Sequence, residues 1–262
     1  MISDTERHNV ALALFEAERT CKPIQQVSRT WPEMELEDAY VVQKLWAEKR
    51  IKAGARQVGH KIGLTSRAMQ MASKMTEPDY GVLLDDMLYA DGSSIPASRF
   101  HAPRLEVELA FVLGKRIGGK GTHTTIFDVL DATSYVTPAL EIIDYRTEVP
   151  RAIVDTIADN AAAAAMVTGG RVVRPMDIDL RWIGATLAKN GVIEESGVSA
   201  AVMGHPAAGI VWLAKKLAVH DIALEAGQIF LAGSFTRPTS VAAGDTIVAD
   251  YGPLGSIGVS FS

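Results

Sequence analysis

The sequence holds a single cysteine, Cys21, among 262 residues. An internal disulfide is excluded, and so is a metal knuckle built from CxxC pairs. Positive charge is also scarce: the net charge is −5 and no basic stripe forms, which argues against nucleic acid as a main partner. No run of about eighteen apolar residues occurs, and even the alanine-rich stretch from Asn160 to Val167 is short. Asp4, Glu6, Arg7 and His8 interrupt the start, so neither a signal peptide nor a membrane partner is expected. A soluble, cytoplasmic protein is the expectation. Gly118-Gly119-Lys120-Gly121 lacks the strand and the Lys-Ser/Thr pair of a phosphate loop, and no internal repeat or linker divides the chain.

Hydrophobic residues make up 48% of the chain, enough for a sizeable core. The pattern suggests a helical N-terminal region over residues 1–55 and a β-rich catalytic domain over residues 56–262, forming one structural unit. Helices are predicted over Val10–Arg19 and Leu36–Ile51, the second with a stripe of Leu36, Ala39, Val42, Leu45 and Trp46 and a stop at Gly54. Ser66 can cap a short helix reaching Met71, a further helix is predicted from Thr125 to Ala132, and Pro206–Leu217 is amphipathic. Asn190-Gly191 between apolar runs signals a type I′ hairpin. The last third alternates strands with glycine turns.

The most informative stretch is Arg104 to Leu113. Extended, it puts Leu105, Val107, Leu109 and Phe111 on one face and Glu106 and Glu108 on the other, followed by Ala110 and Val112. Such a pair of acids is either the wet face of a half-covered sheet or a buried pair that repels and needs a cation. A second strand, Thr137 to Asp144, carries Glu141 inside an apolar run. Three converging glutamates would make an all-oxygen site suited to Mg²⁺ or Mn²⁺. On the predicted strand Val58–Ser66, Lys61 has Gly59 and Gly63 two residues away on its own face, leaving room for a ligand against the backbone. Lys61 is then either a solvated charge or a lysine that holds an anion or transfers a proton. His60, on the opposite face, reads as structural. Glu77-Pro78-Asp79-Tyr80-Gly81 reads as a turn, from which Glu77 or Asp79 could act as a catalytic acid on a mobile loop. Gly233-Ser234-Phe235-Thr236 is a glycine-led loop that either simply turns or holds a carboxylate. Asp155, Asp159 and Asn160 either cap a helix or line a site.

Taken together, Gly59–Ser66, Glu106-Val107-Glu108, Ala139–Asp144, Ala158-Asp159-Asn160-Ala161 and Gly204-His205-Pro206 resemble the hydratase/decarboxylase branch of the fumarylacetoacetate hydrolase superfamily. The resemblance runs from about Trp31 to the C-terminus. It implies an α+β fold in which a β-rich rolled mixed sheet carries the site, with flanking helices outside. It implies a divalent metal, usually Mg²⁺ with Mn²⁺ as an alternative, on Glu106, Glu108 and Glu141, and commonly a homo-oligomer. His60-Lys61-Ile62, Glu77–Gly81 with Leu84-Asp85-Asp86, and Gly233–Pro238 most resemble members that hydrate a seven-carbon unsaturated 2-oxo diacid in aromatic meta-cleavage degradation. The decarboxylases of the branch tend to carry a leucine-lysine-methionine version of the first stretch. The alternatives are hydration of a shorter dienoate, decarboxylation, and a non-catalytic assembly subunit. On the hydratase reading, Lys61 and Asp79 are catalytic, Ser234 and Thr236 hold the near carboxylate, and Arg67 or Arg146 holds the far one. The segment from Asp144 to Asp155 differs from the family and could border the substrate's far end.

Overall fold

The structure, a computed structural model, describes residues 1–262 except for the side chain of residue 72. Three helices open the chain: α1 (Asp4–Thr20), α2 (Val27–Thr30) and α3 (Leu36–Lys52). Ser3 and Glu6 form a capping box that starts α1. The predicted stripe of α3 is turned inward, with Ala39, Val42 and Trp46 buried. With Val10 and Leu14 of α1 it makes a core that also takes in Val82, Leu84 and Ile157 from later in the chain. The N-terminal region is thus packed onto the rest through apolar contact.

The remaining elements are β1 (Gln57–Gly63), α4 (Arg67–Ala72), β2 (Asp79–Leu84), β3 (Leu88–Ala90), β4 (Ser94–Ile95), β5 (Arg104–Leu113) and β6 (Ile117–Gly118). They continue with α5 (Ile126–Ala132), β7 (Thr133–Ile143), α6 (Ile153–Ala158), β8 (Ala163–Thr168), β9 (Gly184–Lys189) and β10 (Val192–Val198). The chain closes with α7 (Ala207–Ala218), β11 (Ala223–Leu224), β12 (Ile229–Leu231), β13 (Thr239–Ser240), β14 (Thr246–Asp250) and β15 (Ser256–Phe261). The main sheet runs β2-β1-β12-β5-β7-β8-β3, with β13 pairing the start of β5; a second runs β10-β9-β14-β15-β4; β6 and β11 form a small third pair. The main sheet is mixed, since β1 runs parallel to β12 but antiparallel to β2. This is an α+β fold with helices at its N-terminus.

The alternation along β5 decides where the core lies. Leu105, Val107, Leu109 and Phe111 are buried in one cluster with Leu187, Ile247 and Ile257 of the second sheet and Ile210 and Leu213 of α7. Each such side chain contributes about 1.5–3 kcal/mol through burial, so this face of β5 is firmly held. The opposite face carries Glu106 and Glu108, followed by Ala110, which packs with Leu83, Ala139, Met166 and Leu231. Both faces of the strand are therefore covered, and the acids are not on a wet face. No helix among the described residues is long and apolar enough to cross a membrane.

Candidate functional site

The long β5–β7 pairing places Glu106 directly opposite Glu141. Glu108 lies two residues along β5 on the same face. One carboxylate oxygen from each of Glu106, Glu108 and Glu141 lies within 4.8 Å of the others. Glu108 and Glu141 are 1% exposed and Glu106 is half-buried. The Gly233 amide donates to Glu108 Oε2 at 2.8 Å. Lys61 Nζ lies 3.2 Å from Glu141 Oε1 as an ion pair, yet neither Glu141 oxygen has an aligned hydrogen-bond donor.

Three carboxylates with one adjacent ammonium leave the cluster short of positive charge. Burial, then the Glu141 charge, pushes Glu106 up to about 8, against the pull of Lys61. Burial pushes Glu108 well above the ordinary carboxylate range, and Glu141 and Glu106 push it further. Burial works against the Lys61 charge, but Glu141, Asp79, Glu106 and Glu108 outweigh it and hold the ammonium above its usual value. A divalent cation fits this donor set: all ligand atoms are oxygen, and the buried Glu141 oxygens lack hydrogen-bond partners.

Asp79 completes the group. The sequence reading put it in a mobile turn, but it is the first residue of β2, paired with Gly63 at the end of β1. The carboxyl is buried, its Oδ1 has no partner, and burial raises its pKa despite the Lys61 charge. The expected ligand space beside Lys61 is also occupied by protein. A Cβ on Gly59 would meet the Ile229 carbonyl oxygen at 1.8 Å, and one on Gly63 would meet Asp79 Oδ1 at 2.2 Å. The two glycines make room for the β12 backbone and for the Asp79 carboxylate, while open space borders Lys61 and Gly63 on another side.

That space is a cavity of about 1110 Å³ whose wall includes Lys61, Asp79, Glu106, Glu108, Ser234 and Thr236. The two hydroxyls are engaged with the backbone. Ser234 Oγ donates to the Thr236 carbonyl at 2.9 Å, and the Val107 amide donates to Thr236 Oγ1 at 3.2 Å. The loop is thereby bound to β5 between the two glutamates. Arg67 is exposed on α4 and does not line the cavity. Arg146 is buried, donates to Asp159 Oδ1 at 2.7 Å and lines a different cleft. Glu77 accepts from Trp212 and Lys216 of α7 and fastens the chain ahead of β2.

Of the predicted capping residues, Asp155 accepts the Ala152 amide at the start of α6. Asn160 instead clasps the Val82 backbone through both amide atoms, at 2.7 and 2.9 Å. Among the cavity residues that escaped the sequence reading are Tyr145 and Arg151. Both fall in the irregular segment between β7 and α6, which the sequence reading set apart as a border of the substrate's far end without naming either residue.

Residues 50–261 match the family described as fumarylacetoacetate (FAA) hydrolase C-terminal. The chain is 53% identical over 259 residues to 2-oxo-hept-4-ene-1,7-dioate hydratase of Escherichia coli, covering 96% of each chain. It is 37% identical to 2-keto-4-pentenoate hydratase of Paraburkholderia xenovorans, covering 98% of this chain and 95% of the relative. Among solved structures, 4-oxalocrotonate decarboxylase from Pseudomonas putida G7, complexed with magnesium and adipate, superposes with a TM-score of 0.96 at 34% identity, covering 100% and 99% of the two chains. The acidic strand pair, the lysine beside it and the full-length likeness converge: the chain belongs to the fumarylacetoacetate hydrolase family.

Proposed function

We propose that the protein is a divalent-metal-dependent hydratase that adds water to 2-oxo-hept-4-ene-1,7-dioate, giving 4-hydroxy-2-oxoheptanedioate. The observation that carries this reading is the Glu106–Glu141 cross-strand pair, with Glu108, Lys61 and Asp79 grouped around it. The similarity to the Escherichia coli hydratase over almost the whole chain supports the substrate. Glu106, Glu108 and Glu141 would hold the cation, Mg²⁺ with Mn²⁺ as the alternative. When bound, it supplies electrophilic polarisation of the C2 carbonyl of a 2-oxo acid.

The protein's own groups then handle protons. Asp79, whose buried carboxyl has a raised proton affinity, takes the proton from C3 and returns one at C5, which moves the double bond to C3–C4. Water adds at C4, the β-carbon of the resulting enone, and C3 is protonated. Net addition of one water is thereby balanced. Lys61 keeps its proton and holds negative charge on the substrate oxygens beside Glu141. The 233–236 loop positions the near carboxylate with Ser234 and Thr236, already bound to β5.

The test follows the unsaturated diacid's chromophore with purified protein, with and without Mg²⁺, and identifies products by mass. Mg²⁺-dependent gain of one water is expected. Loss of CO₂ would instead favour a decarboxylase, the reading that the fold match to 4-oxalocrotonate decarboxylase supports. We also propose a homo-oligomer. Ile193 and Val248 flank Ala188 across β10, β9 and β14 and are 65% and 42% exposed, an apolar row facing outward. A monomeric mass by light scattering would remove that reading.

A further inference from the structure

A seven-carbon diacid has a second carboxylate that leaves water when the substrate enters. Burying it unpaired would be costly, so the cavity wall must offer a cation. Besides Lys61, three cationic side chains line the cavity: Lys74, Arg151 and Arg237. Lys74 is exposed. Arg237 is 84% exposed and already spends Nε and Nη2 on Glu195, at 2.9 Å each. A charge in water and already paired offers little to a carboxylate.

Arg151 differs on each count. Its side chain is 10% exposed, and its guanidinium carbon lies 3.6 Å from the centre of the Tyr145 ring. Among the described residues its one ion-pair partner is Asp159, through Oδ2 at 3.4 Å. Asp159 is committed elsewhere, accepting the Arg146 amide at 2.9 Å and Arg146 Nη1 at 2.7 Å. Arg151 therefore keeps most of its donors free while Tyr145 and Asp159 hold its plane. A planar fork held in place loses little entropy on pairing with a carboxylate. Its charge also acts on Asp79, which ties it to the reacting end of the same cavity.

We infer that Arg151 binds the far carboxylate and so makes the protein select a diacid over a monoacid, an inference that rests on the proposed reaction. The segment between β7 and α6 is then the specificity wall, with Tyr145 as a positioning residue for the guanidinium.

The test is calorimetric binding to the full-length, Mg²⁺-loaded protein, using 2-oxoheptanedioate and 2-oxoheptanoate, which differ only in the far carboxylate. Wild type should prefer the diacid by about 100-fold. Arg151→Met should lose that preference while keeping its monoacid affinity and melting temperature, and Arg151→Lys should keep part of it. The inference is overturned by any of three results: wild type shows no preference, Arg151→Met retains it, or Arg151→Met weakens both ligands equally. Loss of the preference in Arg237→Met or Lys74→Met also overturns it. Turnover separates this from the parent reading. Diacid-selective binding without water addition would remove the reaction and leave Arg151 standing; water addition with Arg151→Met still selective would do the reverse.

Discussion

Replacing Gly63 with alanine tests the catalytic geometry without touching a reactive group. The added methyl would lie 2.2 Å from Asp79 Oδ1 and 3.2 Å from Lys61 Nζ. Contacts below 3.0 Å do not persist, so the carboxylate must retreat from 2.2 Å to at least 3.0 Å. Gly63 is not among the residues with left-handed backbone, so alanine adds no backbone strain there. Asp79 is 1% exposed and packed on its strand side, so its short side chain can yield only towards the cavity, away from its present position. Misplacing a reacting group by about 1 Å costs on the order of 100-fold in rate. Gly63→Ala should therefore lower kcat about 100-fold, with Mg²⁺ affinity unchanged because the three glutamates are untouched. The assay is steady-state hydration, with Mg²⁺ titrated separately by calorimetry. A double variant sharpens it: added to Asp79→Asn, the alanine should cause little further loss, since both changes act through one group. A folded Gly63→Ala protein with wild-type kcat would refute the assignment of Asp79 as the acid/base.

Two further variants test the cluster and its support. Glu106→Gln should lower Mg²⁺-dependent turnover by about 100-fold or more, yet the metal-free protein should melt no lower than wild type, because Gln removes a carboxyl whose ionisation burial and Glu141 oppose in the fold; undiminished turnover would remove Glu106 from the metal site. His60, buried between Phe230 and Tyr80 with Nδ1 unpartnered, is pushed by burial from 6.5 down to about 4. The unfolded chain then binds the extra proton between those values, so His60's contribution is complete above 6.5 and is lost as pH falls towards about 4. At 1.36 kcal/mol per pKa unit this amounts to about 3 kcal/mol; His60→Phe in EDTA should gain about that much on wild type between pH 7 and pH 4, and a pH-independent difference in urea unfolding would contradict it.

Features set by neighbours along the chain were legible in the sequence, and features set by distant neighbours were not. Glutamates alternating with four core residues already define one acidic face of β5, and Glu141 is conspicuous within an apolar run. The Asn190-Gly191 turn has φ of 52° and 80°, as a type I′ hairpin needs, and Ser66 and Thr125 cap the helices that follow them. Asp79 was misread because Pro-Asp-x-Gly is locally a turn signal; only pairing with Gly63 draws it into a strand. The cavity wall after α6 lies further beyond local reasoning. Asn160, Ala161 and Ala162 have φ of 51°, 50° and 63°, a left-handed run that alanine resists by roughly 1–2 kcal/mol per residue. Nothing in Asn-Ala-Ala calls for it. It persists because Asn160 clasps Val82, and because the preceding Asp159 is held by Arg146. A Cβ at Gly81 would strike the Asn160 carbonyl oxygen at 2.4 Å, so the turn also needs glycine on β2. Three separate segments thus stabilise one strained turn, and that turn puts Ala161 and Ala162 on the cavity wall, close in sequence to the aspartate that pairs with Arg151.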